Sequence, residues 1–205
     1  NMQKTISIII PAAASPSNVR ECVKATKEYV SPDVDLVVVT HSKKVAKTAE
    51  DHQEIKILTK RELLTVPDQL QYGFNATSGE IKIALMPFCI PKGKSWLKKL
   101  VEPFSDDEIG AVVSRVEHDQ ASWNFPGRLL KSVMDINLSR DAKKQEEMEV
   151  TSSCCDAYRS DVLDKLDYSF TRTNHLSELI IDLSMTIREK GYKIVSSPTS
   201  TVKLL

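Results

Sequence analysis

At 205 residues the chain is long enough to bury a substantial core within one domain. Its 28 basic and 28 acidic residues cancel, so no strongly basic face is expected and nucleic acid drops out as the main partner. Apolar runs such as Ile6–Ile10 and Leu36–Val39 fall far short of the ~20 residues that span a bilayer.

From the start, Thr5–Ile10 is a β-branched run that stops at Pro11 and predicts a strand. Asn18–Tyr29 then places Val19, Cys22, Val23 and Thr26 at helical spacing, with Ser17 as the expected N-cap. Asp35–Val39 predicts a second buried strand, Val45–Asp51 a short helix and Ile55–Leu58 a third strand. Pro67–Thr77 predicts a helix with proline in its first turn, closed by Gly79. Ile81–Met86 is the fourth strand. Such alternation of helices with near-continuous Val/Ile/Leu strands predicts an α/β fold with a mainly parallel sheet flanked by helices.

The second half is less regular. Lys94–Val101 predicts a helix, Ala111–Val116 a strand and Pro126–Lys144 an amphipathic helix. The helix is expected to run into a solvated, charge-dense stretch at Arg140–Glu149. Val150–Tyr158 reads as a strand, His175–Lys190 as a helix closed by Gly191, and Lys193–Val195 as the last strand. With no repeat or linker, one domain over residues 1–205 is the economical count.

The cysteines are Cys22, Cys89, Cys154 and Cys155, without the spacing of a metal site, and no secretory leader is visible. A reduced, cytoplasmic protein is therefore expected. Asn1 before Met2 reads as an added residue and the end at Leu205 as a cut, so any membrane association is expected to come from parts outside this chain.

Six segments in the right order carry a family resemblance. They are Ile6–Pro11, Asp33–Val39, Gln71–Glu80, Trp96–Phe104 with Ile109–Val112, Ser153–Leu163, and Asp182–Met185 with Arg188–Ile194. Together they resemble the family 2 glycosyltransferases with a GT-A fold across nearly all of the chain. A flavodoxin-like arrangement would explain the alternation but not the matches after Gly79. The resemblance implies a nucleotide-binding half at 1–91, an acceptor half at 92–205, and sugar transfer from a nucleotide sugar assisted by a divalent metal.

The departures from the family all bear on one site. The family's Asp-x-Asp, which holds the metal, falls on Met86 and Phe88, and its Glu-Asp pair falls on Leu179 and Ile180. The loop after the first strand is Ala12-Ala13-Ala14-Ser15, and the loop after the second, where an aspartate pair holds base and ribose, is Thr40-His41-Ser42. The histidine after the family's last strand would fall near Leu204. Neither a thioether nor a phenyl ring supplies the oxygen ligands that hard divalent cations need. No metal or other cofactor is therefore predicted, and metal-dependent transfer is expected to be lost or altered.

The nucleotide- or sugar-binding candidates are Pro11, Ala13, Thr40, His41, Met86 and Phe88; the candidates for chemistry are Glu178 and Asp182, beside the missing base. Each has a plainer reading, His41 as loop surface, Glu178 as helix surface and Asp182 as a local hydrogen-bonding residue. Lys43, Lys44 and Lys47 could offset a diphosphate at a helix start, as could Lys92, Lys94, Lys98 and Lys99 beside Phe88, or both sets could be solvated faces. Cys154 and Cys155 read as inert packing. His118 with Asp119, and His175, are weaker candidates, and Trp123 and Phe125 fit either an acceptor-side lip or an anchor to the core. The alternative function is a non-catalytic interaction module, with Met86, Phe88 and Leu179–Ile181 forming an apolar surface for a protein partner.

Overall fold

A computed structural model describes residues 4–12, 15–50, 55–117, 144–152, 154–164 and 175–205. The amphipathic helix expected at Pro126–Lys144 lies almost wholly outside the described residues, as do Ala13, His118, Asp119, Trp123 and Phe125.

The first half follows the expected alternation: β1 (Ile6–Pro11), α1 (Pro16–Tyr29), β2 (Asp35–Thr40), α2 (Lys43–Glu50), β3 (Lys56–Thr59), α3 (Val66–Asn75) and β4 (Ile81–Leu85). Helix α1 starts earlier than expected. Pro16 occupies the first turn, where its missing N–H costs nothing, so the cap moves from Ser17 to Ser15, whose hydroxyl accepts from Asn18 N at 3.3 Å. Thr65 and Asp68 form a reciprocal capping box at the start of α3.

Gly79 does not close α3, which ends at Asn75. It lets the chain pass against β1, where an added Cβ would lie 2.5 Å from Ser7 N.

The second half is β5 (Cys89–Pro91), α4 (Trp96–Val101), β6 (Ile109–Glu117), β7 (Glu147–Met148), β8 (Cys155–Arg159), α5 (Ser160–Asp164), α6 (Leu176–Glu189) and β9 (Lys193–Leu204). Strand β5 was not expected, and β7 replaces part of the supposed solvated stretch. Strand β9 is much longer than the expected Lys193–Val195. As expected, Gly191 ends α6, at φ +82°, with Gly191 N donating to Arg188 O and Tyr192 N to Ile187 O.

The nine strands among the described residues form one sheet in the order β3-β2-β1-β4-β8-β6-β9-β5, with β7 also on β9. Pairings among β1–β4 are parallel; β8 runs antiparallel to both β4 and β6, and β9 lies parallel to β6. Helices α1, α2 and α4 cover one face and α3 and α6 the other. Trp96, Tyr158, Phe74 and Phe104 are the largest fully buried side chains.

Candidate functional site at the carboxyl ends of the strands

Open α/β sheets place ligands beyond the carboxyl ends of their strands. Here that end brings together Pro11 and Ala12 from β1, Thr40 and His41 from β2, and the turn Met86–Phe88 after β4. Pro11 is buried against Val39, and Ala12 N donates to Val39 O at 2.7 Å. Thr40 is fully buried and works as a joint, its hydroxyl accepting from Ser42 N at 3.0 Å and its carbonyl from Lys60 N at 3.2 Å. Ser42 Oγ in turn accepts from Val45 N, fixing the start of α2. His41 is exposed between these anchors, and Lys43, Lys44 and Lys47 are exposed along α2.

Met86 is only 2% exposed. Its N–H donates to Cys154 O at 2.9 Å, while its carbonyl accepts from Cys89 N at 2.9 Å and from the Cys22 thiol at 3.8 Å. Phe88 is half-buried against the core, and its carbonyl accepts from Leu205 N. The turn on which the resemblance puts the family's metal motif is thus pinned by backbone and thiol contacts. Its two relevant side chains offer no oxygen, so the residues present do not fit a hard divalent cation. Among the described residues no group of three or more His, Cys, Asp or Glu side chains could hold a metal ion.

The cysteines gather around the same turn. All four are free and buried. Burial pushes the Cys22 thiol up to about 12, against a smaller opposing effect of Thr26. Burial, then the neighbouring Cys154 thiol, pushes Cys89 up, and burial likewise raises Cys155. Protonated thiols at ordinary pH are poor nucleophiles, in keeping with inert packing.

Glu178 and Asp182 lie exposed on the outer side of α6, whereas Leu179, Ile180 and Leu183 face the core. Among the described residues neither carboxylate hydrogen-bonds to Thr40 or Met86. The apolar surface imagined at Met86, Phe88 and Leu179–Ile181 is mostly interior; of the five, Ile181 is the large exposed one, with Met185 one turn on. The second lysine set disperses. Lys92 pairs with Glu117 at 2.5 Å, Lys99 is half-buried, and Lys94 and Lys98 turn to a groove elsewhere.

One carboxylate escaped the sequence reading. Asp156, 2% exposed on β8 and in register with Ala84, accepts from Ser152 N at 3.1 Å and Ser152 Oγ at 2.7 Å. It closes the loop that delivers Cys154 O to Met86 N. The available signal was a serine four residues before an aspartate inside an otherwise apolar strand.

The model of the family described as glycosyl transferase family 2 matches residues 7–167, more than half of the chain. The chain belongs to that family. Its fold is also that of solved glycosyltransferases. The mannosyltransferase PcManGT from Pyrobaculum calidifontis, in complex with GDP-Man and Mn2+, superposes with a TM-score of 0.70 at 16% identity, over 99% of this chain and 57% of that one. GalNAc-T7 with UDP, GalNAc and Mn2+ gives 0.72 at 14% identity, over 100% of this chain and 44% of that one. Glucosyl-3-phosphoglycerate synthase from Mycobacterium tuberculosis, with Mg2+ and UDP, gives 0.64 at 14% identity, over 98% of this chain and 70% of that one. The chain thus spans about half the length of the first two. No curated protein matches it by sequence. No helix among the described residues is long and apolar enough to cross a membrane.

Proposed function

We propose that this family 2 glycosyltransferase domain has given up metal-dependent sugar transfer while retaining the nucleotide-binding scaffold of residues 1–91. One observation carries the reading: at the position of the first metal ligand stands Met86, buried and held by its backbone, with a half-buried phenyl ring two residues on. Neutralising the charge that grows on a leaving diphosphate is the metal's task in such transfers, and these side chains cannot hold one. Any nucleotide held here would meet backbone groups, His41 and the α2 lysines instead.

The test is calorimetric titration with UDP, GDP and their sugars, each with and without Mn2+. Any binding is expected to be indifferent to Mn2+. Binding that strengthens with Mn2+ would sink the proposal, because other side chains would then have replaced the missing aspartates.

A second reading, a non-catalytic interaction module, has one observation in its favour. Ile181 and Met185, 49% and 53% exposed, lie one turn apart on α6. Absence of any nucleotide binding in the same titration would favour it.

A further inference from the structure

A second concavity lies at the opposite end of the parallel strands, between the end of α1 and α4, with a volume of about 870 Å³. Its size falls within the range of small-molecule sites, roughly 300–1,000 Å³. Ile6, Val34, Leu97, Val101 and Phe104 supply an apolar floor, and Tyr29 a half-buried wall.

Lys4, Lys94 and Lys98 share the lining of this groove with Asp33, Glu102 and Asp107, so what matters is where each charge stands. At one end Lys4 Nζ donates to Phe104 O at 2.6 Å, Glu102 lines the same wall as Lys98, and Arg159 stands 3.4 Å from Asp107. On the α1 side the Asp33 carboxylate takes a hydrogen bond from Ser31. Lys94, in the turn before α4, and Lys98, on α4, line the groove, both exposed and without an ion-pair partner among the described residues. The floor therefore invites an apolar body, and the α4 wall an anionic head.

We propose that this groove binds a small single-chain organic anion, its apolar body on the Ile6–Leu97–Val101 floor and its head between Lys94 and Lys98. The site is separate from the strand carboxyl ends and does not depend on the function proposed there.

Dodecanoate, kept below its micelle-forming concentration, is a suitable probe, followed by calorimetry and by methyl chemical shifts. Saturable binding is expected, with shifts centred on Ile6, Val34, Leu97 and Val101. The uncharged dodecanol should bind more weakly, and K94E/K98E should weaken dodecanoate by about tenfold. Thermal unfolding of the double variant, expected to match that of the parent, separates loss of binding from loss of fold. Shifts centred elsewhere, equal affinity of the double variant, no saturable binding, or binding confined to anionic lipid vesicles would each overturn the proposal.

Discussion

The two ends of the β1–β4 unit differ in a way that runs against the fold's usual habit. At the carboxyl ends, where such sheets bind ligands, Met86 and Phe88 are apolar and buried or half-buried, and His41 stands exposed with Lys43 and Lys44 beyond it. At the amino ends, three lysines and three carboxylates surround an open groove. The Met86 turn shows how the fold tolerates this. Its hydrogen bonds run through backbone atoms and a thiol, so they do not depend on which side chains stand at positions 86 and 88. Architecture and charge are thus separable at this end of the sheet.

Restoring the family's residues is the hardest test of that contrast. Met86→Asp would bury a carboxylate without a partner and should cost about 3–5 kcal/mol of unfolding free energy in urea titrations. If Met86→Asp with Phe88→Asp instead left stability intact and conferred Mn2+-dependent UDP binding, the closed-site description would be wrong. Removing the carboxylate that is present should also be costly. Asp156→Ala would take one acceptor from Ser152 N and from its hydroxyl and loosen the loop behind Met86, for about 2–3 kcal/mol. A smaller loss than for an exposed carboxylate such as Asp182 would remove Asp156 from the account.

How much of this was readable from the chain depends on where the information lies. Strands β1, β2 and β4 announce themselves as runs of Ile, Val and Leu because both of their faces are buried. The family pattern was readable in the segments flanking Met86 as well, and the family match runs through them. Strand β9 was not readable past Val195, because Ser196-Ser197-Pro198-Thr199-Ser200 looks like a loop. Its order comes from tertiary partners. Ser197 Oγ donates to Lys99 O at 2.8 Å and Ser200 Oγ to Trp96 O at 3.1 Å, docking α4 on the strand. The pairing with β6 jumps from Ser114–Ser197 to Arg115–Thr201 to absorb the extra residues. Asp156 was missed likewise, since its meaning lies in a loop closed by Ser152. The four cysteines, scattered in sequence, converge only in three dimensions.

That convergence gives the carboxyl end a pH signature. A thiol whose pKa is raised by folding keeps its proton in the folded state after the unfolded chain has lost it. Stability from the thiols is therefore complete below pH 9.0, and is lost as pH rises from 9.0 toward about 12, the folded value for Cys22. Cys89 and Cys155 act in the same direction from the same ordinary value of 9.0. Each raised thiol contributes a slope of about 1 kcal/mol per pH unit in that window. Lys82, which donates to Phe74 O, works against them. Burial lowers its pKa from 10.5, so folding stability gains as pH rises through the folded value toward 10.5. Urea midpoints measured between pH 8 and 10 should still fall, and Cys22→Ala should flatten the fall by about one thiol's share. A pH-independent midpoint would mean the thiols are not buried as described.

The amino-end groove should answer oppositely, with little response in stability and a clear one in binding. Lys94 and Lys98 are exposed and bear no ion-pair partner among the described residues, so charge reversal breaks no ion pair among them. K94E/K98E is expected to change unfolding free energy by no more than about 0.5 kcal/mol. Even the paired Lys92, side chain 59% exposed beside Glu117, should lose at most about 1 kcal/mol on truncation to alanine. If the lysine reversal destabilised the fold as much as Met86→Asp, Lys94 and Lys98 would be structural, and the groove they line would be part of the scaffold. A neutral outcome leaves them as unspent charge on a stable wall, the condition a binding site requires.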